Sequence, residues 1–293
     1  MSLAVLLLFL LCLMAPVATL FIHLQRERSA RRRSPLTEDL LRNPAHSLSE
    51  KRLDLAFDLL STVAIAVLVG GFAVSVQLQS WIDPQQIRFN SSSIFFLVCM
   101  AGTLCWSVVR TLRLAKQLSA TRKGYEGELA TAQLLGPLLA EGWQLFHDIP
   151  LPRGNIDHVL VGPGGVFAVE TKYRSKPTDT KGKDSARALY DGQTIQFAGG
   201  AKERLPIEQA QAVSQALAKE LSGRLGEPVC VNPVVALPGW FVSQTTKARP
   251  SVTVINPKSH GLFKYQQSLD PKAQERIAFQ LGKMVSLKAE EVR

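Results

Sequence analysis

The stretch Gly154-Asn155-Ile156-Asp157-His158-Val159-Leu160-Val161-Gly162-Pro163-Gly164-Gly165-Val166-Phe167-Ala168-Val169-Glu170-Thr171-Lys172 decides how the chain folds. Two runs rich in β-branched and aromatic residues, 155–161 and 166–172, flank Gly162-Pro163-Gly164-Gly165, whose composition suits a tight reversal. The spacing predicts a β-hairpin. Pairing Val161 with Val166 puts Asp157 opposite Glu170. Side chains alternate with period two, so Asp157, Glu170 and, two residues further on, Lys172 share one face. Carboxylates about 5 Å apart across a sheet repel each other. A divalent cation relieves that repulsion, and hard Mg²⁺ takes carboxylate and water oxygens while leaving positions for water and phosphate. The plainer alternative is a hairpin with one solvent face, on which Asp, Glu and Lys are ordinary. A register slip of one residue would separate the two acids.

Working outward, residues 124–135 read as an amphipathic helix with Glu128, Ala132, Leu135 and Leu139 along one stripe, and Pro137 kinks or restarts it. Glu128 is then expected in the first turn, facing the sheet. An acid there is costly unless paired or metal-bound, although a helix N-terminus also favours a carboxylate. Residues 143–149 are predicted to form a strand. Residues 173–201 are polar, and a basic run of Lys172, Arg174, Lys176, Lys181 and Lys183 leads into them. The run is either a solvated loop or a set of phosphate contacts. Residues 193–198 suggest an added strand. Residues 206–224 form a predicted helix with Ile207, Ala210, Ser214, Leu217 and Leu221 on one face and Gln209 beside it. Residues 229–237 and 251–256 read as strands, and 271–287 as a terminal helix. His158 is expected to point away from Asp157 as a packing or hydrogen-bonding residue.

These motifs resemble a known family. Asp157 followed by Glu170-Thr171-Lys172 is similar to the Asp…Glu-x-Lys core of the PD-(D/E)xK, restriction-endonuclease-like nucleases. Gly124-Tyr125-Glu126-Gly127-Glu128, Gly154-Asn155-Ile156-Asp157-His158 and Gly162-Pro163-Gly164-Gly165-Val166-Phe167 more specifically resemble the nuclease-related (NERD) domain, over roughly residues 122 to 215. The resemblance implies metal ligation by Glu128, Asp157 and Glu170 and a catalytic role for Lys172. Related nucleases often carry a glutamine on the following helix; Gln209 is the best match, with Gln211 and Gln215 as competitors.

The first part of the chain differs in character. Hydrophobic residues make up 46% of the 293, and the excess is concentrated in residues 2–24, 56–78 and 94–114. A bilayer-crossing helix needs about 20 apolar residues, which the first two stretches supply; the third reaches that length only by running past Arg110 and Arg113. The first stretch lacks the basic start and the cleavage site of a secretory signal, so it reads as an anchor. Gln25–Leu55 is rich in arginine, including Arg31-Arg32-Arg33, whereas Gln79–Ser93 holds Arg88 alone among the basic residues. By the positive-inside rule the chain is expected to cross the bacterial inner membrane several times, with its C-terminal domain in the cytoplasm. The four cysteines are expected to be buried thiols; their spacing suits neither a disulfide framework nor a zinc site.

The expectation is therefore a membrane region over 1–116, with three transmembrane helices, and an α/β domain over 117–293 with a restriction-endonuclease-like mixed central sheet flanked by helices. That domain holds 22 Lys plus Arg against 17 Asp plus Glu, a mildly basic balance suited to a polyanion. The expected function is a membrane-anchored, Mg²⁺- or Mn²⁺-dependent nuclease whose first-choice substrate is DNA. The alternatives are a tethered module that binds nucleic acid or protein without cutting, and a membrane scaffold. No Gly-x-x-x-x-Gly-Lys-Ser/Thr run is present for a nucleotide-hydrolysing motor.

Overall fold

The computed structural model describes residues 40–81, 91–152, 154–176, 186–200, 202–259, 261, 263 and 268–287. The chain divides into two compact units. In the first, the described residues are 51–81 and 91–120, which belong to helix α1 (His46–Trp81) and helix α2 (Ser91–Leu135). Arg110 Nε donates to Thr62 Oγ1 at 3.0 Å, and that hydroxyl donates onward to Asp58 O. Thus the buried Thr62 ties the two helices together.

Among the described residues, one helix is long and apolar enough to cross a membrane, His46–Phe72. Leu53, Phe57, Leu60, Val63 and Val67 are all exposed on it. One such helix, rather than three, is the finding. The expected span 2–24 lies outside the described residues. The expected span 94–114 is helical, within α2, and is not among the described helices that meet that standard; Arg110 and Arg113 interrupt its apolar run.

The second unit gathers residues 40–50 with 121–287 of the described chain. Its central five-stranded mixed sheet contains β2 (Gln144–Leu151), β3 (Gly154–Gly162), β4 (Gly165–Thr171), β8 (Val231–Ala236) and β10 (Thr253–Ile255), in the order β10-β8-β4-β3-β2. β2, β3 and β4 form an antiparallel meander, and β8 and β10 run parallel to β4. A Cβ at Gly164 in the hairpin turn would collide with the backbone oxygen of Phe263, which explains why glycine is needed there. One face of the sheet, through Val159, Val161, Val166 and Ala168, packs on Leu217 and Leu221 of α3 (Leu205–Leu225) and Ile277 and Leu281 of α4 (Pro271–Val285). The other face, through Leu160, Phe167 and Val169, packs on Leu135, Leu138 and Trp143.

A second mixed sheet lies over the N-terminal part of α3. It contains β5 (Arg187–Tyr190), β6 (Ile195–Phe197), β7 (Lys202–Glu203) and β9 (Phe241–Gln244), in the order β7-β6-β5-β9. Ala188, Tyr190, Ile195 and Phe197 bury against Ile207, Ala210 and Trp240. Only the β6 region was anticipated as a strand. The α/β class and the flanking helices agree with the sequence reading, but among the described residues there are two mixed sheets rather than one, besides a two-stranded pairing of the chain's outer segments.

Three further expectations change. The helix predicted to begin at 124 begins at Ser91, so Glu128 is deep within α2 and the helix N-terminus does not account for its charge. Leu139 is exposed while Leu138 is fully buried, because α2 gives way at Gly136 to a 3-10 helix (Gly136–Glu141) whose repeat of three brings residue 138 under Leu135. Cys99, Cys105 and Cys230 are exposed rather than buried; Cys230 precedes β8 instead of lying inside it.

Candidate active site

The hairpin register is Val161↔Val166, continuing to His158↔Val169, so Asp157 and Glu170 follow one step beyond the last paired residues. Asp157 is buried, and its Oδ2 accepts the Thr171 N–H at 2.7 Å, a bond that fixes the acid against the end of β4. Lys172 is held by its own N–H, which donates to Ala236 O at 2.9 Å. Its Nζ donates to Gln209 Oε1 at 3.2 Å. That bond separates Gln209 from its competitor Gln211, whose amide donates to Ser251 instead.

Glu128 reaches the same place from α2, whose Leu135 packs on the opposite face of the sheet. Gly127 makes the approach possible: a Cβ there would sit 3.0 Å from the Cβ of Tyr173 and 3.5 Å from Thr171 Cγ2. The closeness of helix to strand end leaves Glu128 6% exposed, with Oε2 buried and without a hydrogen-bond partner. A buried, unpartnered carboxylate oxygen is costly to maintain.

The three acids act on one another electrically. Burial, and then the charges of Asp148 and Glu170, push Glu128 up from 4.5 to about 8. Burial, and then Glu170 and Glu128, hold Asp157 well above the usual carboxylate range, against the opposing pull of the Thr171 N–H and Lys172. Burial raises Glu170, and Lys172 opposes it. Glu128, Asp157, Glu170, Lys172 and Gln209 are therefore one neighbourhood.

Among the described residues, no three His, Cys, Asp or Glu side chains are already gathered as a metal-holding group. Mg²⁺ typically uses one or two protein carboxylates and completes its shell with water and phosphate oxygens. The hard-oxygen donors Asp157 and Glu170, with an orphaned Glu128 oxygen nearby, fit such an ion chemically.

The sequence reading missed Asp148. Its place in β2 is opposite Asp157, between the pairs His147↔His158 and Ile149↔Ile156. It is fully buried at a positive φ of 50°. Arg42 Nη1 donates to its Oδ2 at 2.9 Å, and Ser47 Oγ to its Oδ1 at 2.6 Å; Asn155 Nδ2 also donates to Oδ1. Arg42 and Ser47 arrive on a strap that starts at β1 (Leu40–Leu41), paired with β11 (Ser286–Leu287). An aspartate inside the apolar run 143–149 was the available signal, because a buried acid requires partners. Two of those partners, Arg42 and Ser47, lie 106 and 101 residues away in the chain.

His158 is buried and packs against His147, with the two Nδ1 atoms 2.9 Å apart. Burial lowers His147 to about 4; burial and then His147 lower His158 to about 3, so both rings are neutral. In the basic run, Arg174 forms a two-pronged ion pair with Glu203 and is only partly exposed, so its charge is already matched. Lys176 is exposed. Lys181 and Lys183 lie outside the described residues.

Residues 123–238 match the family model of the nuclease-related domain, NERD. The match supports that family for this segment and encloses Glu128, Asp148, Asp157, Glu170, Lys172 and Gln209. No curated protein and no solved structure matches the chain.

Proposed function

We propose that the chain is a membrane-anchored, metal-dependent nuclease that hydrolyses phosphodiester bonds, with DNA as its first substrate. The observation that carries this reading is the Lys172–Gln209 bond beside three mutually repelling carboxylates, within the segment that matches the nuclease-related domain. Asp157 and Glu170 would hold Mg²⁺ or Mn²⁺, with Glu128 as a third donor. The ion would supply charge for the phosphate and a more acidic water.

The chain's own groups do the rest. The Thr171 N–H fixes one Asp157 oxygen and leaves Oδ1 as the freer donor. Gln209 holds the Lys172 ammonium in place, where its positive charge can meet the negative charge that grows on a scissile phosphate. Burial of Glu128 and Asp157 keeps bulk water away and strengthens every charge interaction in the site. The helix His46–Phe72 is the proposed anchor. The chain would return across the bilayer through the apolar part of α2, so that Arg42 and Ser47 share the cytoplasmic side with the NERD segment they bond to, as the arginine asymmetry suggests.

The rival reading is a tethered module that binds nucleic acid or protein without cutting. The Asp157–Thr171 bond favours it, since that bond alone could justify the aspartate structurally. The test is cleavage of linear and plasmid DNA, and of RNA, by the detergent-solubilised full chain with Mg²⁺, Mn²⁺ or chelator. Asp157→Asn and Lys172→Ala should each lose about a hundredfold or more while still unfolding in a single cooperative transition. A wild-type chain as inert as these variants on every substrate would leave the binding module.

A further inference from the structure

A cleft of about 580 Å³ separates the edges of the two sheets. β9 is an edge strand of the smaller sheet and β10 an edge strand of the central one. Arg187, Phe241 and Ser243 lie along one wall, and Asn256, Lys258 and Ser259 along the other. Strands β4, β8 and β10 are parallel, so Thr171, Ala236 and Ile255 end at the same edge of the sheet. Asn256 to Ser259 continue from the end of β10, so the cleft opens at the edge where Glu170 and Lys172 lie. That edge is where open α/β sheets receive their ligands. The Trp240 indole N–H donates to Arg174 O at 3.2 Å, which links the start of β9 to the chain two residues beyond Lys172.

The cleft's chemistry is mixed. Trp240 is 1% exposed, whereas the next residue, Phe241, is 62% exposed. The ring thus leaves a sizeable apolar face open to water. Lys258 is also exposed, on the facing wall. An open aromatic face across from an exposed lysine matches a chain of unpaired bases on a phosphate backbone, where a base can stack and a neighbouring phosphate can meet the positive charge. A duplex offers phosphates but keeps its base faces stacked inside. A peptide strand added to the β9 or β10 edge would use backbone hydrogen bonds and would gain nothing from Lys258.

We propose that this cleft binds single-stranded nucleic acid, with Phe241 stacking on a base and Lys258 contacting a phosphate, and that it leads the strand towards the acids. The position along the strand path rests on the nuclease reading; the binding itself does not. The test uses the full chain in detergent with chelator present, so that nothing is cut, and follows anisotropy of a labelled oligothymidylate and of a labelled duplex. Wild type should prefer the single strand. Phe241→Leu should weaken it roughly fivefold or more and Phe241→Trp should restore it, with duplex binding unchanged. Lys258→Gln should reduce the slope of log affinity against log salt by about 0.7. Equal single-strand binding by wild type, Phe241→Leu and Lys258→Gln would overturn the proposal, as would an unlabelled extended peptide competing while an oligonucleotide does not. If Phe241-dependent binding persists in a chain that cuts nothing, the nuclease reading fails and the cleft stands. If cutting is intact but Phe241 is indifferent, the reverse holds.

Discussion

Glu128 carries a burden that only a ligand or a proton relieves. Its folded pKa of about 8, against 4.5 when exposed, means that the folded chain holds more protons than the unfolded chain between those values. Stability from this group is therefore fully present below pH 4.5 and is lost as the pH rises through 8. The histidine pair works the opposite way: with folded values of about 4 and about 3 against 6.5 unfolded, its stability is present above 6.5 and lost as the pH falls through 4 and 3. The melting temperature should pass through a maximum between these limbs. Glu128→Gln should raise the melting temperature at pH 9 and flatten the alkaline limb, with little gain at pH 4, while lowering any cleavage. Thermal unfolding of the full chain at a series of pH values checks this. At this scale the sequence was informative where motif and pattern agreed: Asp157, Glu170, Lys172, Gln209 and Glu128 could all be named, and the structure makes them neighbours. Asp148 escaped because its neighbours Arg42, Ser47 and Asn155 come together only after the chain has folded.

At the scale of elements, the hairpin, α3 and α4 were readable because their buried faces follow one period without interruption. The buried stripe Ile207, Ala210, Ser214, Leu217 and Leu221 on α3 is the predicted one. The start of α2 was hidden because an apolar run continues into an amphipathic one with no cap or breaker between them. The second sheet was hidden because its strands are two to four residues long, too short to display alternation. The strap at 40–47 could not be read at all: a two-residue strand gives no pattern, and its worth lies in reaching Asp148. Removing the Arg42 guanidinium leaves a fully buried carboxylate with hydroxyl and amide partners only. Arg42→Met should therefore cost about 2 kcal/mol or more, and Arg42→Met combined with Asp148→Asn should recover part of the loss. Denaturant titration of the two variants decides this. Asparagine tolerates the positive φ at position 148, but full recovery is not expected, because its amide nitrogen replaces one of the two oxygens that accept from Arg42, Ser47 and Asn155.

For the molecule as a whole, the strap gives the nuclease-like unit two separate pieces of chain, which residues 51–120 separate in sequence. A piece that began at residue 117 would lack Arg42 and Ser47, so the full chain is the proper subject for every experiment. The charge and apolar patterning of the first hundred residues led to three spans; one helix meets that standard among the described residues, and it lies where the second span was expected. The site and its surroundings are one electrical unit, and the most direct test of that claim is calorimetric titration of the full chain with Mn²⁺ at pH 7 in buffers of different ionisation enthalpy. Acids that share protons with raised affinity should bind the ion and release about one proton for each ion bound, and Asp157→Asn should abolish or strongly weaken that binding. Mn²⁺ binding that is absent from the wild type, or that is the same in Asp157→Asn, would contradict the account.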